Sequence, residues 1–312
     1  MLSRVAENLY WTARYMERAE DLARLVNVHS NLMLDLPRSI ELGWEPLVAI
    51  TGSEAGFAEL FDEVDERNVT RYLIADKRNT GSILACLFQA RENLRSTRDL
   101  VPREAWEQVN DLYLYARREL KGGIAKRKRY DFLRGVIQQC QQFTGLLAGT
   151  MSHDEAYEFL RIGRNLERAD MSTRILDVRS QDLLPKRSEE LTPFENIQWM
   201  SVLKSLTAYQ MYRRHVRVRV RGIDVLRYLL QDRQLPRALM HCLEQVESCL
   251  HDLPRNDAPL RSVTRMQRRV QEADVPELAE AGLHEFIDDV QLDLAHLHES
   301  ISTTYFLLDR AA

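Results

Sequence analysis

Two stretches of the chain carry the same charged pattern 150 positions apart: RYMERAEDLARLVNV at Arg14–Val28 and RNLERADMSTRILDV at Arg164–Val178. In each stretch an arginine is followed by Glu-Arg-Ala, then by an acidic residue and a further arginine. Apolar residues recur three and four positions apart in both, which is the spacing of an amphipathic helix. The sequence therefore predicts two helices that carry similar sets of charges.

The rest of the chain has the same helical periodicity. Only 12 glycines and 9 prolines interrupt 312 residues, and several prolines stand where the first turn of a helix is expected. The pattern predicts an all-α fold. The predicted helices lie near residues 3–28, 43–60, 67–75, 81–98, 102–121, 130–149, 153–181, 193–214, 222–231, 236–252, 258–272 and 276–309.

The charged pattern belongs to a longer internal repeat. VTRYLIADKRNTGSILACL at Val69–Leu87 aligns with VLRYLLQDRQLPRALMHCL at Val225–Leu243, with seven of nineteen positions identical. FLRGVIQQCQQF at Phe132–Phe143 similarly resembles FIDDVQLDLAHL at Phe286–Leu297. The offsets stay between 150 and 156 residues, far longer than a solenoid repeat. We therefore predict a pseudo-twofold helical bundle of two duplicated halves, residues 1–150 and 151–312, packed as one compact unit.

Composition and charge narrow the classes of function. A net charge of −4 argues against a nucleic-acid partner. Four cysteines without a C-x-x-C pair favour small core residues in the reducing cytoplasm over zinc ligands. The N-terminus MLSRVAENLYW lacks an apolar leader, and no run of about 18 apolar residues occurs, so we expect a cytoplasmic protein without a membrane partner. No nucleotide-binding or serine-hydrolase motif is present, so no cofactor is expected.

The repeated charges predict buried groups rather than a solvated face. At about 100° per residue, Arg14, Asp21 and Arg24 lie near Glu17 on the helix, whereas Arg18 points about 100° away. Apolar residues surround Glu167 in the same way, so we expect both glutamates to be partly buried, facing one another or a shared cavity. A buried carboxylate requires a partner. The expected partners are Arg14, Arg24, Arg164 and Arg174.

The residues of this pattern form one candidate cluster, which we interpret as either functional or an ion-pair lattice. Its members are Arg14, Glu17, Arg18, Glu20, Arg24, Arg164, Glu167, Arg168, Asp170 and Arg174. Three interpretations remain open: ion pairs that fix how the halves dock, a ligand or catalytic site in which arginines hold an anion, and a plain charged surface. No metal is expected, because a di-metal carboxylate bundle needs two Glu-x-x-His motifs and the sequence offers only Asp293–His296, once.

One stretch departs from the helical pattern. RRHVRVRVR at Arg213–Arg221 alternates basic and apolar residues, which is the period of a strand. No second segment has the alternation needed to pair with it, and an isolated strand is not stable. We therefore predict a helix end that continues into a basic loop.

Three segments together resemble the bacterial alpha-E family of helical proteins with a Glu-Arg motif. They are SRVAENLYWTARYMERAEDLARL, GSILACLFQARENLRSTRDLVPREAWEQVN and FLRIGRNLERAD. The resemblance extends from Leu2 to about Phe306 and maps the motif onto Glu17-Arg18, echoed by Glu167-Arg168. The chain departs from the family where NTGSI at Asn79–Ile83 replaces Asn-Pro-Ser-Ser-Ile, and where Ala238 replaces the serine of Pro-Arg-Ser.

The resemblance implies partners rather than a reaction. Members of the family are associated with a circularly permuted ATP-grasp ligase and a transglutaminase-like protein, proteins suspected of forming or modifying peptide amide bonds. The expectation is an accessory protein that binds the ligase or its peptide or amino-acid substrate. Two alternatives stay open: an enzyme in its own right, with Glu17 and Glu167 as acid or base and arginines holding an anionic substrate, and a purely structural scaffold.

Overall fold

The computed structural model describes residues 1–35, 43–183, 192–216 and 219–307, and within them every regular element is helical. This confirms the predicted all-α fold. A short 3₁₀ turn covers Arg98–Leu100. The α-helices are α1 (Ser3–Asp35), α2 (Glu45–Ile50), α3 (Glu54–Ala58), α4 (Glu66–Ile74), α5 (Ile83–Ser96), α6 (Arg103–Ile124), α7 (Lys126–Thr150), α8 (Glu155–Leu183), α9 (Thr192–Ser205), α10 (Tyr209–His215), α11 (Gly222–Gln231), α12 (Leu239–His251), α13 (Asp257–Glu272), α14 (Val275–Glu280) and α15 (Leu283–Tyr305).

The two helices that carry the Glu-Arg pattern form the centre of the molecule. Helix α1 packs against α5, α7 and α8, and α8 packs in turn against α12 and α15. Leu9, Leu22 and Leu25 of α1 are fully buried, as are Ile162 and Leu166 of α8. Because both helices are covered by neighbours on several sides, charged residues on them are also withdrawn from water.

A glycine sets how closely α1 and α8 approach. A Cβ built on Gly163 would lie 2.2 Å from the backbone carbonyl oxygen of Tyr10, a separation that non-bonded atoms do not reach. The absent side chain therefore lets the backbones of the two helices touch at this point. Glu167 stands one helical turn further along α8, so the close approach also brings its carboxylate within reach of α1.

Three of the predicted helices are each divided in two. Each break contains a residue with left-handed backbone: Gly52 (φ 60°) between α2 and α3, Thr207 (φ 56°) between α9 and α10, and Gly282 (φ 88°) before α15. A left-handed residue cannot continue a right-handed helix. The apolar periodicity continues across these breaks, which is why it predicted single helices.

The segment in which the chain departs from the family motif begins α5. The Ser82 hydroxyl accepts a hydrogen bond from the Ala85 N–H at 3.3 Å and donates to the carbonyl oxygen of Asp76 at 2.9 Å. Ser82 is thus the N-cap of α5. Its aligned residue before α12 is Ala238, which has no side chain that can cap.

The basic stretch Arg213–Arg221 contains the end of α10 and the residues leading to α11. Arg217 and Val218 lie outside the described residues, and the other positions of the stretch contain no strand. Helix α10 ends at His215 and α11 begins at Gly222. In the described parts of the chain, no helix is long and apolar enough to cross a membrane.

The contact at Gly163 gives a test of the packing. Gly163→Ala should lower the free energy of unfolding by about 1–3 kcal/mol, because α1 and α8 must separate to admit the methyl group. Gly145→Ala is the matched control, since a Cβ there meets nothing within 4 Å; it should stabilise α7 by about 0.5–1 kcal/mol. Urea denaturation measures both, and equal midpoints for the two variants would contradict the close contact.

Candidate functional site

The first cluster consists of Glu167, Arg14 and Arg18. Arg14 Nε donates to Glu167 Oε2 at 2.7 Å, while Arg18 donates through Nε to Oε1 at 2.5 Å and through Nη2 to Oε2 at 3.0 Å. Glu167 is only 1% exposed. Burial opposes ionisation of this carboxyl, but the two guanidinium groups outweigh burial and lower its pKa to about 2. Glu167 is therefore a permanently charged, fully paired group at neutral pH.

Hydrogen bonds continue from this cluster to α15. Arg14 Nη1 donates to the Tyr10 hydroxyl at 3.1 Å, and that hydroxyl lies 2.7 Å from His298 Nδ1. Burial raises the pKa of Tyr10 and lowers the pKa of His298. Tyr10 is therefore a neutral donor to a neutral imidazole, and the line from Glu167 to His298 ties three helices together.

The second cluster lies on the other side of the α1–α8 contact and contains three carboxylates. Glu17 Oε1 accepts from Arg168 Nε at 2.7 Å and forms an ion pair with Arg237 Nη2 at 2.8 Å. Arg237 also contacts Glu20 at 3.1 Å and pairs with Asp21 through Nη1. The complete set is Glu17, Glu20, Asp21, Arg24, Arg168 and Arg237.

The acids of the second cluster differ in their ease of protonation. Burial opposes ionisation of Glu17, but Arg168 and Arg237 outweigh it and lower the pKa. Burial raises the pKa of Asp21 to about 7, with Arg237 opposing this shift and Glu17 adding to it. Asp21 Oδ2 is buried and has no hydrogen-bond partner among the residues that the structure describes. Asp21 therefore takes up a proton near neutral pH, whereas Glu17 stays ionised.

The two helices exchange their arginines. Glu17 is bound by Arg168, which follows Glu167, and Glu167 is bound by Arg18, which follows Glu17. Each Glu-Arg pair therefore acts across the helix interface and not within its own helix. Both glutamates are buried, as the sequence indicated.

The predicted set of partner arginines was partly wrong. Of its four members only Arg14 contacts a motif glutamate; Arg24 binds Glu20 at 2.5 Å and Arg174 binds Asp170 at 3.0 Å. Positions four apart on one helix are neighbours, so these two arginines satisfy acids on their own helix. On a helical wheel Arg18 and Arg168 point away from the glutamates of their own helices. In the structure each arginine points towards the facing helix and binds the glutamate there.

Arg164 makes no ion pair or hydrogen bond with the part of the chain that the structure describes, and its Nε is buried without a partner. Burial and the nearby Arg168 lower its pKa. Arg164 borders a cavity of about 20 Å³ that also touches Glu17 and Glu20. This volume suits about one water molecule, so no substrate can reach the glutamates from that side.

Sequence reasoning missed Arg237, which completes the second cluster. Arg237 precedes α12, and its carbonyl oxygen accepts from the Ser172 hydroxyl of α8 at 2.9 Å. The signal was present in the alignment of the two halves, where Arg237 stands opposite Gly81. A charged residue added to one copy of a repeat indicates a local difference in function or packing.

A surface pocket of about 340 Å³, which we call the rim pocket, opens beside the second cluster. Its lining combines charged residues of the cluster with an apolar wall: Glu20, Gln141, Thr144, Arg168, Leu206, Thr207, Met211, Leu235, Pro236 and Arg237. Arg168 uses only Nε, towards Glu17, among the described residues. Its terminal amino groups therefore remain available to a ligand in the pocket.

Among the described residues, one group has donors spaced closely enough for a metal ion: Asp177, His284 and Asp288. His284 Nδ1 lies 2.6 Å from Asp177, and its other ring nitrogen lies 3.6 Å from Asp288. The hydrogen bond to Asp177 raises the pKa of His284. The two carboxylates face opposite ring nitrogens, so each of them contacts the imidazole of His284.

The thiols beside the clusters are unreactive. All four cysteines are buried and free. Burial raises the pKa of Cys86, near the first cluster, and of Cys242, near the second, to about 12 in each case. Nucleophilic chemistry by these thiols is excluded at neutral pH, because the thiolate is the reactive form.

The pairing of Glu167 predicts a dependence of stability on pH. Its folded pKa is lowered, so its stabilising contribution is present above about pH 4.5 and is lost as the pH falls towards about 2. The difference in unfolding free energy between the wild type and Glu167→Gln should shrink by about 3 kcal/mol over this window. Urea unfolding from about pH 5 to about pH 2 measures it.

Asp21 provides the internal control for this experiment. Its folded pKa is raised to about 7, so its contribution has the opposite sign and is lost as the pH rises from about 4 to about 7. The two pH ranges barely overlap, so the change in stability below about pH 4.5 comes from Glu167. A constant difference between wild type and Glu167→Gln below about pH 4.5 would contradict the strong pairing of this carboxylate.

Comparisons with known proteins agree with the sequence resemblance. An uncharacterized protein of Mycobacterium bovis and two of Mycobacterium tuberculosis are each 23% identical to the chain over 323 aligned positions. These alignments cover 96% of the chain but 35% of each relative, so the chain spans about a third of their length. No solved structure gave a significant match. The model of the Alpha-E family, "a predicted alpha-helical domain with a conserved ER motif", matches residues 1–306, and the chain belongs to this family.

Proposed function

We propose that the chain is an accessory protein of an ATP-grasp type amide ligase, which binds the ligase or its substrate during the formation or modification of peptide or amino-acid amide bonds. A transglutaminase-like protein is the second proposed partner. Membership of the Alpha-E family supports the choice of these two partners. The observation that carries the choice of binding over catalysis is the complete pairing of the two motif glutamates.

The geometry argues against the alternative of an acid–base enzyme that uses Glu17 and Glu167. These carboxylates are 3% and 1% exposed, and each is held by two arginines. A general acid or base must reach its substrate and works best with a pKa near the operating pH. Both groups have lowered pKa values, so neither meets these conditions.

The two clusters support different parts of the proposal. In the first cluster both carboxylate oxygens of Glu167 accept hydrogen bonds from arginines. This complete pairing fits a structural ion-pair lattice. The second cluster borders the rim pocket through Glu20, Arg168 and Arg237. In our proposal the lattice fixes α1 against α8 and thereby holds the arginines of the pocket in place.

The duplication of residues 1–150 and 151–312 remains a proposal of the same kind. Its support is the exchange of arginines between α1 and α8, and the equivalent surroundings of two aligned cysteines. The Cys86 thiol lies 4.0 Å from the Thr80 carbonyl oxygen, and the Cys242 thiol lies 3.5 Å from that of Pro236, the residue aligned with Thr80. A cytoplasmic location is likewise proposed, supported by the four buried free thiols.

The duplication can be tested by superposition. Placing α1 on α8 should bring Glu17 over Glu167, α4 over α11, α5 over α12 and α6 over α13. The nearly constant sequence offset, between 150 and 156 residues, motivates this match. A crystal structure in which the two halves have different helix connections would overturn the duplication.

The accessory role predicts a complex and an effect on catalysis. The chain should co-purify with a circularly permuted ATP-grasp ligase from the same organism, and the ligase should hydrolyse ATP faster, with its peptide or amino-acid substrates, when the chain is present. The matched control is ligase incubated with a heat-unfolded sample of the chain. Absence of a complex together with unchanged ATP turnover would overturn the proposed role.

Substitution of the glutamates separates lattice from ligand site. Glu167→Ala leaves Arg14 and Arg18 without their buried carboxylate, and should therefore lower the unfolding free energy by about 3–5 kcal/mol. The exposed pair of Arg103 and Glu107 on α6 gives the control, since Glu107→Ala should cost less than about 1 kcal/mol. Unchanged stability of Glu167→Ala with loss of ligase activation would instead assign a direct functional role to Glu167.

A further inference from the structure

We propose that the rim pocket binds a small organic carboxylate with an apolar body, held by the terminal amino groups of Arg168. The inference rests on the proposed function in one respect, namely that the chain is a binding protein with a ligand. It adds the class of ligand and the residue that recognises it.

The charge around the pocket favours an anion. Arg24, Arg168 and Arg237 pair with the three carboxylates of the second cluster, and a fourth arginine, Arg164, borders the small cavity that touches Glu17 and Glu20. Arg164 has no carboxylate partner among the described residues. Protonation of Asp21 near neutral pH removes a further negative charge. The excess positive charge lies in a poorly solvated region, where electrostatic attraction is stronger than in water.

Arg168 is the arginine placed to meet that anion. Arg237 has both terminal nitrogens engaged, by Asp21 on one side and by Glu17 and Glu20 on the other. Towards the described residues Arg168 uses only Nε, and its side chain is 15% exposed. The bond to Glu17 fixes the plane of the guanidinium, so its two free amino groups form a preorganised fork of the kind that binds carboxylates bidentately.

The rest of the lining selects the body of the ligand. Leu206, Met211, Leu235 and Pro236 supply apolar surface in the lining that also contains the charged residues. The volume of about 340 Å³ lies at the lower end of the range for small-molecule sites. A branched aliphatic chain of a few carbons fits this combination better than a nucleotide or a sugar, which would leave many polar groups unpaired against the apolar wall.

Thr207 shapes the apolar lining of the rim pocket through an unfavourable backbone conformation. Its φ of 56° is unfavourable for a β-branched residue, because the Cβ atom then crowds the backbone. The turn it makes between α9 and α10 places Leu206 and Met211 on the same pocket. Such strain is concentrated at ligand sites, where a particular backbone path is required.

Isothermal titration calorimetry with 4-methylpentanoate, L-leucine and 4-methylpentanamide tests the proposal. The carboxylate should bind with a Kd below about 1 mM. The amide has the same shape without the charge, and should bind at least about tenfold more weakly. Tighter binding of L-leucine than of 4-methylpentanoate would assign an amino acid as the ligand, and the reverse order a simple carboxylic acid; both orders support the proposal.

Two pairs of variants tie the binding to the pocket. Arg168→Gln should weaken binding of 4-methylpentanoate at least about tenfold, whereas Arg174→Gln, on the same helix but outside the pocket, should not. Met211 is 40% exposed, so Met211→Glu should fold normally, place a negative charge in the pocket and weaken binding relative to Met211→Gln. The Met211 pair keeps the test decisive if Arg168→Gln is unstable.

Equal affinity for the acid and the amide, or no binding of either, would overturn the proposal, as would binding that neither Arg168→Gln nor Met211→Glu reduces. These results leave the accessory role separately testable. A chain that co-purifies with the ligase but does not bind these carboxylates retains its proposed function and loses only the proposed ligand. A chain that binds them without forming a complex or changing ATP turnover retains the proposed ligand and loses the accessory role.

Discussion

The structure depends on the exchange of arginines between two buried helices. A carboxylate that is withdrawn from water loses its hydration and must be compensated by cations at hydrogen-bonding distance. Glu17 and Glu167 obtain that compensation from the facing helix, so each can remain ionised only while α1 and α8 are docked. Gly163 makes the docking close enough, and the charges in turn favour one register of the two helices, because a shift along the axis would separate each carboxylate from its arginine. Packing and electrostatics therefore specify the same arrangement.

Periodicity in the sequence predicted the helices, and the repeat predicted which of them carry equivalent charges. The same periodicity could not find the breaks at Gly52, Thr207 and Gly282, because a break requires one residue in a left-handed conformation and leaves the apolar pattern intact. Burial of Glu167 was predictable, since Leu160 and Met171 share its face of the helix. These conclusions all rest on neighbours along one helix.

The sequence could not show which residues from distant parts of the chain contact the charged motif. The wheel of α1 shows in which direction Arg18 points, but it does not show which residue of another helix lies there. Arg237 is 216 residues from Asp21, and no local rule connects them. Its position in Pro-Arg-Ala and its alignment with Gly81 were visible, yet only the packing of α12 against α8 shows why an arginine is required. The two clusters consequently differ in composition although their central motifs are alike.

The burial of Cys86 and Cys242 gives the molecule an intrinsic reporter of its own motions. A thiol with a pKa near 12 is almost inert towards alkylating reagents while it is enclosed, and becomes reactive when a local opening exposes it to water. Because Cys86 lies beside the first cluster and Cys242 beside the second, the rates at which these two thiols are alkylated measure how often each cluster opens. The chain thus carries, in two native side chains, the means to compare the kinetic stability of its two clusters without any added label.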